Sequence, residues 1–151
     1  MQYSVDNLVS YDLEVYPNYM LAGFKFPDGT VHQYEFTDTN IDHLQPLREF
    51  INFIEMSEFT LVGFNSNNYD DVVLSEFLAS PSVNTSYSTS LQLIEDGTSP
   101  WFFTRDVFSI DLIKVLPNQM SLKKIGVCLG HKRLQELPIN PHVNLTREEM
   151  K

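Results

Sequence analysis

The sequence predicts an α/β protein whose mixed sheet has about five strands, an antiparallel meander followed by parallel strands, with flanking helices. Two observations lead to this fold class. Residues 8–36 hold three β-rich segments separated by short turns, and from residue 41 onward helical and strand patterns alternate. The length of 151 residues and the hydrophobic share of 42% suffice for one domain with its own core.

The meander comprises the first three predicted strands. Residues 8–16 alternate apolar and polar side chains and are rich in β-formers, and residues 19–26 form the second strand. Residues 27–30 (Pro-Asp-Gly-Thr) are a strong turn signal, after which residues 31–36 return as the third strand. Connections this short join antiparallel neighbours.

A helix and a buried strand follow the meander. Residues 41–54 carry apolar side chains at helical spacing, and residues 38–40 (Asp-Thr-Asn) offer caps for this helix. Residues 60–64 (TLVGF) are wholly apolar, which is typical of a strand covered on both faces. The change from helix to strand favours a right-handed crossover into a parallel sheet.

The next helix is predicted at residues 69–78, with Asn68 and Asp71 as capping residues. Residues 80–90 (SPSVNTSYSTS) are the least hydrophobic part of the chain. Their composition predicts a surface loop or a mobile insertion.

Three further signals complete the chain. Residues 107–113 predict the fifth strand, and residues 121–130 predict a short helix between a serine cap and a terminating glycine. Residues 146–149 (Thr-Arg-Glu-Glu) form a capping box, which predicts the start of another helix.

Charge is unevenly distributed. Twenty acidic and ten basic residues give a net charge of −10. Residues 1–111 hold 17 acids and three bases, whereas residues 112–151 hold seven bases and three acids. This balance excludes a protein that binds nucleic acid through an overall basic surface. Three interpretations stay open: a solvated acidic surface with a basic tail, a metal-binding acidic site with one basic wall, or an acidic face that mimics nucleic acid.

Composition excludes several other classes of protein. The single cysteine, Cys128, excludes a disulfide framework and a cysteine-based zinc site. No apolar run reaches the roughly 18 residues of a membrane span, and residues 1–12 lack the features of a signal peptide. We therefore expect a cytoplasmic protein without membrane partners.

Carboxylates in two parts of the chain predict a site. Asp12 and Glu14 share the polar face of the first strand, about 7 Å apart along it. Such a pair suits Mg²⁺, which favours one or two carboxylates together with water and substrate phosphate; plain solvent exposure is the alternative. Asp70 follows the buried strand, where ligands usually bind in open α/β sheets, and could face the pair.

These residues resemble the motifs of the DEDD 3′–5′ exonucleases, the DnaQ-like branch of the ribonuclease H-like fold. Residues 11–14 (Tyr-Asp-Leu-Glu) resemble the first motif, and residues 65–70 (Asn-Ser-Asn-Asn-Tyr-Asp) resemble the second. Residues 109–112 resemble the later strand of that domain. Residues 121–125 and 129–131 resemble the segment that follows it in bacteriophage DNA polymerases, so the resemblance covers nearly the whole chain.

The resemblance implies a hydrolase in which two Mg²⁺ or Mn²⁺ ions clamp the scissile phosphate and activate water. Asp12 would bridge both ions, Glu14 would bind the water-activating ion, and Asp70 would support the second ion. The expected substrate is the 3′ end of single-stranded DNA. Its expected contacts are Asn65, Tyr69, His131, Lys132 and Arg133, although the last three could equally be an exposed helix end.

The chain departs from the family at the third motif, a helix with a Tyr or His and a final Asp. Residues 112–151 contain no Asp, and the helix predicted by the capping box stops at Lys151. We therefore expect residues 1–151 to be a single exonuclease-like domain without its C-terminal helix and with weak or no hydrolysis. Replacement of the missing Asp by Glu148 or Glu149 is the alternative. Asp111 is expected to be a structural residue at a strand end.

Two functions from different classes follow. The first is a metal-dependent 3′–5′ exonuclease domain of phage DNA polymerase origin, acting in the host bacterial cytoplasm. The second is a catalytically inactive acidic protein on the same fold. It would bind a basic host protein, such as a DNA-binding or defence protein, by mimicking nucleic acid.

Overall fold

A computed structural model describes residues 4–97, 107, 109–116, 120–130 and 139–150. Five strands form one sheet in the order β3-β2-β1-β4-β5. The strands are β1 (Leu8–Tyr16), β2 (Tyr19–Lys25), β3 (Val31–Thr37), β4 (Thr60–Gly63) and β5 (Ser109–Asp111). Strands β1 to β3 are antiparallel neighbours, whereas β1, β4 and β5 run parallel. The central strand is therefore β1.

Helices flank this sheet. They are α1 (Leu44–Met56), α2 (Asp70–Ala79), α3 (Val83–Asp96), α4 (Leu112–Val115) and α5 (Leu122–Cys128). Short 3-10 helices precede β1 at Val5–Asn7 and precede α2 at Ser66–Asn68. In the part of the chain that the structure describes, no helix is both long and apolar enough to cross a membrane.

One face of β1 builds the main core. Val9, Tyr11, Leu13 and Val15 alternate with polar residues, and all four are buried. They belong to one cluster with apolar side chains of α1 and α2, among them Phe50. The polar face of β1 is left to Ser10, Asp12 and Glu14.

The predicted fold class is confirmed, because the mixed five-stranded sheet with flanking helices is consistent with a ribonuclease H-like arrangement. The turn at residues 27–30 is present, with the Gly29 amide donating to the Phe26 carbonyl. The capping box is also present: Thr146 and Glu149 exchange side-chain and backbone hydrogen bonds. The segment around it packs through Leu145 against Tyr16 and Tyr19 of the first hairpin.

The loop predicted at residues 80–90 is wrong, since α3 begins at Val83. The hydroxyl of Ser82 accepts a hydrogen bond from the Thr85 amide and caps the helix. Buried serine and threonine side chains of α3 face the protein interior. The low hydrophobicity of the segment therefore concealed a packed helix.

Other element boundaries also differ from prediction. The helix α1 begins at Leu44, and residues 38–40 form a tight turn before it instead of its cap. The predicted strand at 107–113 shortens to Ser109–Asp111, because Asp111 accepts from the Ile113 amide and starts α4.

The predicted caps of α2 are wrong as well. Its N-cap is Tyr69, which makes no side-chain capping bond. Asn68 donates to the Asn65 side chain instead. Asp71 is buried and bonds to other elements of the fold.

Candidate functional site

The polar face of the central strand carries Asp12 and Glu14. Asp12 is exposed and Glu14 is half-buried. The pairing of β1 with β4 covers only Leu8–Ser10, so the β4-side edge of β1 has no paired strand at Asp12 and Glu14 among the described residues. The start of α2 lies against this part of β1.

Asp70 is the residue of α2 that reaches this edge. It is 3% exposed, and its Oδ1 accepts a hydrogen bond of 3.0 Å from the Leu13 amide, between Asp12 and Glu14. Burial, and next the charge of Asp12, raises the pKa of the Asp70 carboxyl to about 7. Although part of Asp12 is exposed, its carboxyl group is partly withdrawn from water, and this desolvation together with the charge of Glu14 raises its pKa. Asp12 and Asp70 thus both favour the protonated form, and negative charges held this close also attract a cation.

A cleft of about 260 Å³ opens over Asp12 and Glu14. Asp12 and Glu14 line it on one side, and residues of α3 and of the C-terminal segment line the other side. The other cleft residues that matter here are Tyr69, Tyr87, Ser90, Ile94, Pro141 and His142. The arrangement joins acidic groups to aromatic and apolar walls.

Two hydrogen bonds connect the cleft walls. The hydroxyls of Tyr69 and Ser90 lie 2.6 Å apart, which ties the start of α2 to α3. The Tyr87 hydroxyl lies 3.5 Å from Nδ1 of His142, which links α3 to the C-terminal segment. The cleft therefore depends on the packing of three separate parts of the chain.

The loop between β4 and α2 is held by Asp111. Its Oδ1 accepts a 2.8 Å hydrogen bond from the Asn65 amide, and its Oδ2 accepts a 3.3 Å bond from the Asn67 amide. Asp111 is 4% exposed and also caps α4, so its expected structural role is confirmed. Asn65 has a φ of 59°, a left-handed conformation that asparagine tolerates better than most residues.

The structure brings some of the predicted site residues together. Asp12, Glu14 and Tyr69 line the cleft, and Asp70 bonds to the strand beneath it. Asn65 lies in the β4–α2 loop outside the cleft lining, with its Oδ1 accepting from the Asn68 side chain. The predicted contacts His131, Lys132 and Arg133 lie outside the described residues.

Among the cleft residues that the sequence analysis missed are Tyr87, Ser90 and His142. Tyr87 and Ser90 belong to the segment predicted as a loop, although the Ser82 cap could have revealed its helix. No local pattern singles out His142, because its position depends on the Leu145 contact with the distant β1–β2 hairpin.

Mg²⁺ or Mn²⁺ is the cofactor that the resemblance implies. Across the described residues, no three His, Cys, Asp or Glu side chains are grouped closely enough to hold a metal ion. Asp12 and Glu14 still offer hard oxygen donors on one face, and two carboxylates suffice for a Mg²⁺ ion that keeps several waters. The donor set therefore fits one weakly held ion better than a rigid pair of ions.

Comparisons with known proteins gave no assignment: no family model matches the chain, and neither does any curated protein or solved structure.

Proposed function

We propose that this chain is an exonuclease-like domain that binds the 3′ end of single-stranded DNA in the cleft, with the help of Mg²⁺ or Mn²⁺. Hydrolysis of the terminal phosphodiester is weak or absent. If the chain is of phage polymerase origin, its place of action is the cytoplasm of the bacterial host.

The observation that carries this proposal is the placement of Asp12 and Glu14. Both lie on the central strand and line a cleft whose other walls include Tyr69 and Tyr87. Aromatic faces stack on unpaired bases with little dependence on sequence. Carboxylates repel a phosphate, so a divalent cation between them is needed before a nucleic-acid end can enter.

The same geometry supports weak chemistry. In two-metal hydrolysis the ions orient the water and stabilise both the attacking and the leaving oxygens. Asp12 and Glu14 hold one ion loosely, while Asp70 already accepts the Leu13 amide. A catalytic group lost from such a preorganised site typically lowers the rate by about 10²–10³.

The first experiment is calorimetry with Mn²⁺. Wild type is expected to bind one ion weakly, and Asp12→Ala is expected to abolish the heat. The Glu55→Gln/Glu58→Gln variant is a control, because both glutamates are exposed acids outside the cleft. Equal heats from wild type and Asp12→Ala would show that Asp12 is not a ligand.

The second experiment is gel analysis of end-labelled single-stranded DNA with Mn²⁺. We expect wild type to degrade it poorly or not at all. Strong laddering that disappears in Asp12→Ala/Glu14→Ala would refute the weak-hydrolysis part of the proposal. It would also direct attention to Glu148 or Glu149 as a replacement ligand.

A second candidate function is a catalytically inactive protein that binds a basic host protein. It is favoured by the exposed acids Asp42, Glu49, Glu55 and Glu58 in and around α1. Arg48, on the same helix, is half-buried and donates to the Leu78 carbonyl. Polylysine is a suitable cationic probe: this function predicts weaker binding by Glu55→Gln/Glu58→Gln and unchanged binding by Asp12→Ala. Unchanged binding by the first variant would contradict it.

A further inference from the structure

We propose that Tyr11 and Asp71 are positioning residues, which lock the start of α2 onto β1 and thereby fix the strand segment that carries Asp12 and Glu14. The inference rests on the proposed function, because the exact placement of these two carboxylates matters only if they bind a cation and a substrate end.

The lock acts on one edge of β1, since β2 already pairs with the other edge from Ser10 to Tyr16. The strand β4 supports β1 only as far as Ser10, before the two carboxylates are reached. Beyond that point the Leu13 amide donates to Asp70 at 3.0 Å. This amide lies between Asp12 and Glu14, so its bond to α2 holds the backbone from which both side chains project.

Asp71 provides a second attachment two residues earlier on the strand. It is 1% exposed and accepts a hydrogen bond from the Tyr11 hydroxyl. Its carboxylate also accepts from the Ser109 hydroxyl at 2.9 and 3.1 Å and from the Asn67 side chain at 2.8 Å. Two consecutive α2 residues thus bind β1 at two positions, which fixes both the position of the helix along the strand and its rotation about its own axis.

The start of α2 has no side-chain cap of its own. Its N-cap residue, Tyr69, has irregular backbone angles and makes no side-chain capping bond. A buried carboxylate also adds little net stability, since apolar replacements of buried charges are often neutral or stabilising. The value of Asp71 therefore lies in the orientation that its three donors impose.

The Tyr11 hydroxyl is one of the donors to the Asp71 carboxylate. The Tyr11 ring is stacked on Phe24, with centroids 5.8 Å apart and planes inclined by 9°. Tyr11→Phe therefore removes the donor and retains the ring. Ser109→Ala removes a second donor to the same carboxylate, and serves if Tyr11→Phe fails to fold.

The test measures Mn²⁺ affinity by calorimetry and exchange of the Leu13 amide by NMR, in the whole chain. Loss of an outer partner of a metal site typically lowers metal affinity by about 10–100-fold. We expect roughly a tenfold loss for Tyr11→Phe and for Ser109→Ala, with faster exchange at Leu13. Ile54→Val is the matched control, since Ile54 is buried on α1 outside the cleft lining.

The outcomes distinguish failure of the positioning role from failure of the proposed function. The positioning role would be overturned if Tyr11→Phe and Ser109→Ala keep wild-type Mn²⁺ affinity and only lower the melting temperature, as Ile54→Val does. Wild type that binds no Mn²⁺ would refute the proposed function, and the positioning role with it. Weaker Mn²⁺ binding in both hydroxyl variants, with unchanged binding in Ile54→Val, would support the inference.

Discussion

Gly63 ends β4 at a point where the fold leaves no room for a side chain. A Cβ added there would lie 2.4 Å from the Ser66 Cβ and 2.7 Å from the Ser66 Oγ. Real Cβ atoms do not approach so closely, and Ser66 is fully buried in the 3-10 helix that leads into α2. Gly63→Ala must therefore displace this helix or distort β4.

We expect Gly63→Ala to lower the free energy of unfolding by about 2–3 kcal/mol, the upper part of the range for an overpacked core. For a domain of this size that corresponds to a fall in melting temperature of roughly 4–12 °C. Urea unfolding followed by circular dichroism measures the first quantity, and thermal unfolding measures the second.

The double variant Gly63→Ala/Ser66→Gly tests the cause. Ser66→Gly alone loses the 2.7 Å hydrogen bond to Ser109, worth about 1 kcal/mol. In the double variant Ser66→Gly also removes the atoms that clash with the added Cβ. The double variant should therefore be more stable, by at least about 1 kcal/mol, than the sum of the two single effects predicts. Additive effects, or Gly63→Ala within about 0.5 kcal/mol of wild type, would refute the steric argument.

Two further predictions concern the pH dependence of stability and the cap of α3. The pKa of Asp70 is raised from 3.8 to about 7, so the folded state holds the proton more tightly than the unfolded state, and stability falls as pH rises from about 4 to 7. Asp70→Asn should flatten this fall, which amounts to at most about 4 kcal/mol. If the urea midpoint of Asp70→Asn depends on pH as that of wild type does, the raised pKa of Asp70 is contradicted. Ser82→Ala removes the α3 cap and should cost about 1 kcal/mol of stability in urea unfolding, whereas no change would show that tertiary packing alone holds α3.

The meander was predictable because its signals are local. Alternation along β1 and the Pro-Asp-Gly-Thr turn each determine their structure within a few residues. The helix α3 was not predictable from hydrophobicity, since part of its buried face consists of Ser86, Thr89 and Ser90. On this face Ser90 has a polar partner in the Tyr69 hydroxyl, whereas the buried Ser86 hydroxyl has no hydrogen-bond partner among the described residues.

The candidate site divides in the same way. The spacing of Asp12 and Glu14 predicted their shared face correctly, because side-chain direction in a strand follows from its period of two. The different hydrogen-bond partners of Asp70 and Asp71 were not predictable. The first binds the Leu13 amide and the second binds Tyr11, and both partners lie more than fifty residues away in sequence.

The most direct test of the proposed function is fluorescence anisotropy of a short single-stranded DNA labelled at its 5′ end. It is titrated with protein in Mn²⁺ or in chelator. We expect binding only with Mn²⁺, loss of binding in Asp12→Asn/Glu14→Gln, and retention in Glu55→Gln/Glu58→Gln, which removes the same charge elsewhere. Equal binding in Mn²⁺ by wild type and Asp12→Asn/Glu14→Gln, or no binding by wild type, would contradict the account.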